Sequence, residues 1–244
     1  MTDSHSAAAL AAGRLDLVEA STRRMLDTVS ALKPEAVAEP SALPGWTRGH
    51  VLAHLARNAD SLVNLLTGVR TGTDIPQYAS EQARDQGIED GAGRPLDVQL
   101  ADLRESHEAF AAAAALLGDE DWAAEVRHRS GAVFPAADLV WKRLAEIEYH
   151  VVDLGADYTF AEWPEPFAVA EFDRLAARLH GTDLPAVRLV AEDTGHRGLI
   201  GTGEPALTVE GPVRALTAWL SGRSAGDGLR RTPDTALPQL PPLG

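Results

Sequence analysis

Trp141-Lys142-Arg143-Leu144-Ala145-Glu146-Ile147-Glu148-Tyr149-His150-Val151-Val152-Asp153-Leu154-Gly155 decides the fold. With Val140 before it, the stretch puts Leu144, Ile147, Val151 and Leu154 on one helical stripe. Arg143, Glu146, His150 and Asp153 form a polar stripe directly beside it, where a helix borders a cleft. Glu146 and His150 are four apart and so stand one turn above each other on one face. A carboxylate and an imidazole so placed are either an exposed helical pair or two ligands of a divalent metal.

A second segment, far away in sequence, supplies further histidines: Leu43-Pro44-Gly45-Trp46-Thr47-Arg48-Gly49-His50-Val51-Leu52-Ala53-His54-Leu55-Ala56-Arg57-Asn58. Thr47 has the chemistry and position of an N-cap, with a helix running on to about Thr67. His54 shares a face with Val51, Leu55, Asn58 and Leu62 and points towards a bundle interior; His50 sits in the first turn, where a local hydrogen bond is its ordinary role. Either histidine can complete a His, Glu, His set. Val51 follows His50 where a metalloprotease helix carries its glutamate, so that chemistry is not indicated. Nitrogen and oxygen donors without sulfur suit zinc, nickel, iron or manganese, and three protein ligands leave a position open, as catalytic sites do.

Around these two segments the chain reads as mainly α. Ser6 to Leu32 is a long amphipathic helix with Leu10, Leu15, Leu17, Val18, Met25, Leu26 and Val29 as its apolar set. A polar loop with Pro76, Tyr78, Gly87, Gly91 and Gly93 leads to a helix from about Leu96 to Leu117; residues 122–133 read as irregular, and a fourth helix spans about Ala136 to Leu154. Four such helices make a bundle. Beyond Gly155 the pattern changes: a helix from about Phe167 to His180, strand-like runs at 187–191 and 206–210, and a helix from Val213 to Leu220. The tail from Thr232 is proline-rich and either wraps the surface or is loose. The expected division is 1–157, a four-helix metal-binding domain, and 158–244, a small α+β domain.

Bulk properties narrow the function. A chain of 244 residues with 45% hydrophobic residues can bury a sizeable core. The net charge of −14 and the lack of a basic stripe argue against nucleic acid. No cysteine is present, so thiol chemistry needs a thiol from outside. No secretory signal or bilayer-length apolar run is found, and a cytoplasmic protein without a membrane partner is expected, as a monomer.

The segment 43–54 resembles the opening of the second helix in the mycothiol-dependent maleylpyruvate isomerases, members of the DinB-like metalloenzyme superfamily. Residues 141–156 resemble that family's metal-binding fourth helix. Pro76-Gln77-Tyr78, Glu81-Gln82-Ala83-Arg84, Ile88-Glu89, Gly222-Arg223 and Gly226-Asp227-Gly228 also match its pattern. The resemblance spans nearly the whole chain; it is tight over 43–93 and 138–156 and looser in the first helix, over 105–135 and through most of 160–210. It implies a DinB-like four-helix bundle followed by a small α+β domain. It implies His54, Glu146 and His150 as zinc ligands, and Arg84 and Arg223 as cleft residues from the two domains. It further implies mycothiol as thiol cofactor and conversion of maleylpyruvate, a dicarboxylate of gentisate breakdown, to fumarylpyruvate. Asn58, one turn beyond His54, is a candidate to bind the thiol or support a ligand. Arg143 and Asp153 either orient the ligands or are surface charges. Two other readings keep the fold: a zinc-dependent mycothiol S-transferase, and a non-catalytic metal- or ligand-binding module.

Overall fold

The structure, a computed structural model, describes residues 4–242, with the backbone alone at Ser4. The chain divides into two compact units, Met1–Asp157 and Tyr158–Gly244. The first contains α1 (Ser4–Ser30), α2 (Arg48–Thr71), α3 (Glu81–Ala92), α4 (Leu96–Ala115) and α5 (Ala137–Asp153). Helices α1, α2, α4 and α5 form the bundle: α1 packs on α4 and α5, and α2 on the same two.

The apolar stripe of α5 is the centre of this core: Val140, Leu144, Ile147, Val151 and Leu154 are all essentially inaccessible. On α2, Val51, Leu55 and Leu62 are buried together with His54 and Asn58. The buried face of α1 differs from the leucine-rich set expected. It runs through Ala7, Ala11, Val18, Ser21, Thr22, Met25 and Val29, whereas Leu10 is 49% exposed. Small and hydroxyl side chains are used there because α1 is tied to its neighbours by polar contacts. Ser21 donates to the buried Glu148 carboxylate of α5, and Thr22 and Glu19 both meet His107 of α4. Arg57 of α2 similarly reaches Asp102 of α4. Buried polar groups that find partners cost little, and they fix which helix lies beside which.

Residues 81–92, expected as loop, form α3. Ser80 caps it, its hydroxyl accepting from the Ala83 amide at 3.0 Å. Of its glycines, which read as loop signals, Gly91 serves close packing on α2. A Cβ at Gly91 would lie 2.7 Å from Ala53 Cβ. From the other side, a Cβ at Gly49 in the first turn of α2 would lie 2.0 Å from the Ala92 carbonyl oxygen at the end of α3. Gly49→Ala is therefore expected to destabilise the protein by about 3 kcal/mol, the upper range for overpacking, because backbone must move to relieve the overlap. A urea-unfolding midpoint left unchanged would contradict that packing. Residues 121–135 are also more ordered than expected. After a 3-10 turn, β1 (Glu125–Arg127) pairs antiparallel with β2 (Val133–Pro135) in a short hairpin before α5.

In the second unit, α6 (Glu165–Leu179) is followed by β3 (His180–Ala191), β4 (Arg197–Gly211), α7 (Val213–Leu220) and β5 (Arg230–Thr232). The sheet order is β3-β4-β5. Val187 to Ala191 of β3 run in parallel register with Leu207 to Gly211, while Val187 to Val190 also face Ile200 to Arg197 in reverse order. The long β4 thus pairs with both edges of β3, turning between them at Gly201 and Gly203, which have positive φ. Phe172, Leu175, Val187, Leu189, Ile200, Val209, Leu216 and Trp219 form the core, and Leu237 and Leu240 of the proline-rich tail pack against it. The tail therefore wraps this unit. Among the described residues, no helix is long and apolar enough to cross a membrane.

Candidate metal centre

Helices α2 and α5 bring three donors together. His54 Nε2 is 2.9 Å from Glu146 Oε2, and His150 Nε2 is 3.2 Å from the same oxygen. Ligand atoms of the three residues all lie within 4.8 Å of one another. The two imidazoles meet edge to face with centroids 4.6 Å apart, and Trp46 covers His54 at 5.5 Å. The His54 and His150 side chains are only 8% and 14% exposed against 33% for Glu146, so the site opens on the glutamate side.

His150 decides whether this set suits a cation. Its Nδ1 lies 2.9 Å from Asp153 Oδ2, an orientation in which Nδ1–H donates to the carboxylate. Nε2 then faces the Glu146 carboxylate with its lone pair. Two lone pairs cannot face each other at this distance without a positive charge between them, either a proton on the ring or a metal ion. Burial favours neutral His150, but Asp153 and Glu146 together push its pKa up. Burial would likewise raise Glu146, yet hydrogen bonds from His150 and His54 hold it well below the usual carboxylate range. For His54 burial wins: its pKa is lowered despite Glu146, which keeps the ring neutral and able to donate a lone pair. A negative carboxylate and a neutral imidazole are ready as ligands, and a divalent ion would take the place of the proton that His150 Nε2 otherwise holds towards Glu146. The residues fit such an ion.

His50 is not part of this set. Its Nδ1 lies 2.7 Å from Thr47 Oγ1 and accepts from the Thr47 amide at 3.2 Å, completing a capping box at the start of α2. Asp153 and Arg143 are both buried, so neither is a surface charge. Arg143 Nη1 donates to the Leu55 carbonyl at 2.8 Å and to Asn58 Oδ1 at 3.0 Å, tying α5 to α2 one turn beyond His54. The Asn58 carboxamide is thus engaged with Arg143. Burial lowers the Arg143 pKa to about 10, which still leaves it charged at neutral pH.

Arg84 on α3 lines a cleft of about 160 Å³ with Ser61, Asn64, Gln77 and Tyr78, and its charge is felt by His54. Its Nη1 donates to the exposed Asp85 at 2.7 Å. Tyr78 belongs to the Pro76-Gln77-Tyr78 stretch that matches the family pattern, but that match assigns it no role; burial raises its pKa, opposed by a hydrogen bond with Ser61 and by the Arg84 charge. Arg223 belongs to the second unit. There it follows α7, with its amide on the Ala218 carbonyl at 2.8 Å and Nη1 on the Ser221 carbonyl at 2.8 Å.

The bundle and its small α+β companion have the DinB-like maleylpyruvate isomerase fold. The profile of the mycothiol maleylpyruvate isomerase N-terminal domain matches residues 18–155, more than half of the chain, and the chain belongs to that family. A crystal structure of a mycothiol-dependent maleylpyruvate isomerase is 28% identical, with a TM-score of 0.85 over 96% of this chain and 97% of that one. The structure of a histidine-to-alanine mutant of a mycothiol-dependent maleylpyruvate isomerase is 27% identical, with a TM-score of 0.84 over the same shares. No curated protein matches significantly.

Proposed function

We propose that this chain is a zinc- and mycothiol-dependent isomerase that converts maleylpyruvate to fumarylpyruvate. The observation that carries this reading is the convergence of His54, Glu146 and His150, with His150 aimed by Asp153, in a member of this isomerase family. Rotation about a carbon–carbon double bond requires its π bond to be lifted briefly, and reversible addition of a sulfur nucleophile to an activated alkene does this. His54, Glu146 and His150 would hold a zinc ion, which would supply Lewis acidity towards a thiol whose free pKa is about 8.5.

The chain's own residues do the rest. His54, Glu146 and His150 present two nitrogens and one carboxylate oxygen from two rigid helices, which fixes the geometry without reorganisation. Trp46 covers His54 and limits water there. Arg84 offers a guanidinium fork to a substrate carboxylate, and Tyr78, protonated at neutral pH, offers an O–H to oxygen on which enolate charge develops. The resemblance assigns Arg223 to substrate as well. Asn58 acts behind the ligands by fixing Arg143 between α2 and α5. The setting is cytoplasmic, where the chain works as a monomer on small molecules.

Asp153→Ala leaves the donors in place but frees the His150 ring. Metal affinity is expected to fall about 10- to 100-fold, read by competition with a chromogenic chelator; unchanged affinity would remove Asp153 from the site. The overall reading is tested by following maleylpyruvate absorbance with zinc-loaded protein, with and without mycothiol, and identifying the product by chromatography. Fumarylpyruvate formed at undiminished thiol supports the isomerase. Stoichiometric thiol consumption would make the chain an S-transferase, and tight zinc binding without turnover a ligand-binding module.

A further inference from the structure

In a protein of net charge −14, three basic side chains from three separate elements lie close enough for their charges to reach the surroundings of the candidate metal centre: Tyr78 feels Arg84, Arg129 and Glu146, and His128 feels Lys142, Arg129 and Glu146. Arg84 is one. Lys142 is the second: it lies four residues before Glu146 and eight before His150, on the same stripe of α5, one turn closer to the start of the helix. Its half-buried side chain places Nζ 4.7 Å from the centroid of Phe134 on β2. The third is Arg129, in the turn of the β1–β2 hairpin.

The hairpin is held at both ends. On one side Phe134 meets Lys142. On the other, the Arg129 amide donates to Gln77 Oε1 at 3.2 Å, and Gln77 Nε2 donates to Ser61 Oγ at 3.1 Å. Gln77 and Ser61 line the cleft that holds Arg84 and Tyr78. The hairpin turn is therefore fastened to the cleft wall, and Arg129 is delivered to its rim. Its guanidinium meets Glu81 at 2.9 Å, a partner 62% exposed and therefore weakly held.

We propose that Lys142 and Arg129 form an anion subsite, distinct from Arg84, that receives the carboxylate of the substrate lying farther from the alkene. A dicarboxylate entering from the Glu146 side needs a cation at each end, because the glutamate and the overall charge of the protein repel it. Arg84 on α3 and the Lys142–Arg129 pair on α5 and the hairpin flank that opening. Charges at the centre respond accordingly: Tyr78 feels both Arg84 and Arg129, while burial and then the Lys142 and Arg129 charges hold His128 at about 4. His128 is thus neutral at neutral pH, leaving Lys142 and Arg129 as the cations of this side.

The inference rests on the proposed function for the identity of the substrate, but its test does not require turnover. Zinc-loaded wild-type, Lys142→Met, Arg129→Met and Lys142→Arg proteins are titrated calorimetrically with pimelate, a dicarboxylate of the substrate's seven-carbon length, without thiol, at two salt concentrations, and with the monocarboxylate crotonate. Lys142→Met and Arg129→Met should each weaken pimelate about tenfold, with a shallower salt dependence, and leave crotonate binding and zinc content unchanged. Lys142→Arg should bind pimelate nearly as the wild type does. With maleylpyruvate and mycothiol, the same factor should appear in KM and not in kcat. Loss of pimelate affinity in a protein that does not isomerise maleylpyruvate would uphold the subsite and sink the proposed reaction. Unaltered pimelate affinity and KM in both methionine variants of an active enzyme would overturn the subsite alone.

Discussion

His54→Ala is expected to remove metal and activity together while the bundle stays folded. Among the described residues, His54 contributes one of three clustered donors, and its ring hydrogen-bonds Glu146, another of them. With the imidazole gone, Glu146 and His150 remain one turn apart on α5, and two ligands from one helix hold a divalent ion far less well than three from two helices. The Lewis acidity lost corresponds to several kcal/mol, so kcat/KM should fall by roughly a thousandfold or more. Stability should change little by comparison. The ring is buried, but its Nδ1 has no hydrogen-bond partner, so truncation leaves a cavity and at the same time relieves an unsatisfied polar atom. Metal content by atomic emission, far-UV circular dichroism and the mycothiol-dependent assay read the three consequences separately. Full activity in metal-free His54→Ala protein would sink the metal mechanism; loss of the helical signal would mean that the ring is structural.

This prediction was legible in the sequence because His54 lies on the face of Val51, Leu55 and Leu62, and the burial of that face aims it inward. The same periodicity placed α5 and separated Glu146 and His150 from the apolar stripe. Thr47 as cap and His50 as its local partner followed from their spacing of three. What periodicity did not show was α3. Its one large buried apolar residue is Ile88, and its glycines at 87 and 91 mimic a loop; Gly91 is needed because α2 passes too close for a side chain there, a tertiary fact with no local signature. The leucines of α1 misled for the complementary reason. Alanine, serine and threonine share its buried face with Val18, Met25 and Val29, so Leu15, Leu17 and Leu26 lie at its edge and Leu10 outside it. Asp153 and Arg143 stood in the polar stripe, but sequence spacing alone left surface and buried roles equally open. The fold decided by burying both and giving each a different partner: Asp153 holds a ring nitrogen, Arg143 a neighbouring helix.

Arg84→Ala is expected to cripple catalysis with zinc still bound, the converse dissection of the site. Arg84 lies on α3, not on either ligand-bearing helix, and among the described residues its side chain hydrogen-bonds Asp85 rather than His54, Glu146 or His150. Its side chain is 17% exposed, and its partner Asp85 is 66% exposed. An exposed partner holds an arginine weakly, so the fork can turn from Asp85 to a substrate carboxylate at small cost. Truncating one partner of a largely desolvated charge pair costs roughly 2–5 kcal/mol, which is a loss of about thirtyfold to several thousandfold in kcat/KM. The loss should exceed that of Lys142→Met, because Arg84 shares the cleft with Tyr78 and its charge reaches His54, whereas Lys142 lies one turn beyond Glu146. Arg84→Lys separates charge from geometry: it keeps the cation but not the planar fork, so an intermediate rate indicates bidentate binding, and a rate equal to that of the alanine variant indicates that geometry alone matters. Zinc stoichiometry is the control that gives the experiment its force. If Arg84→Ala protein loses its metal, the residue supports the ligands and the substrate must be held by other groups; if it keeps both metal and full kcat/KM, the cleft lined by Ser61, Gln77, Tyr78 and Arg84 is not where the dicarboxylate binds.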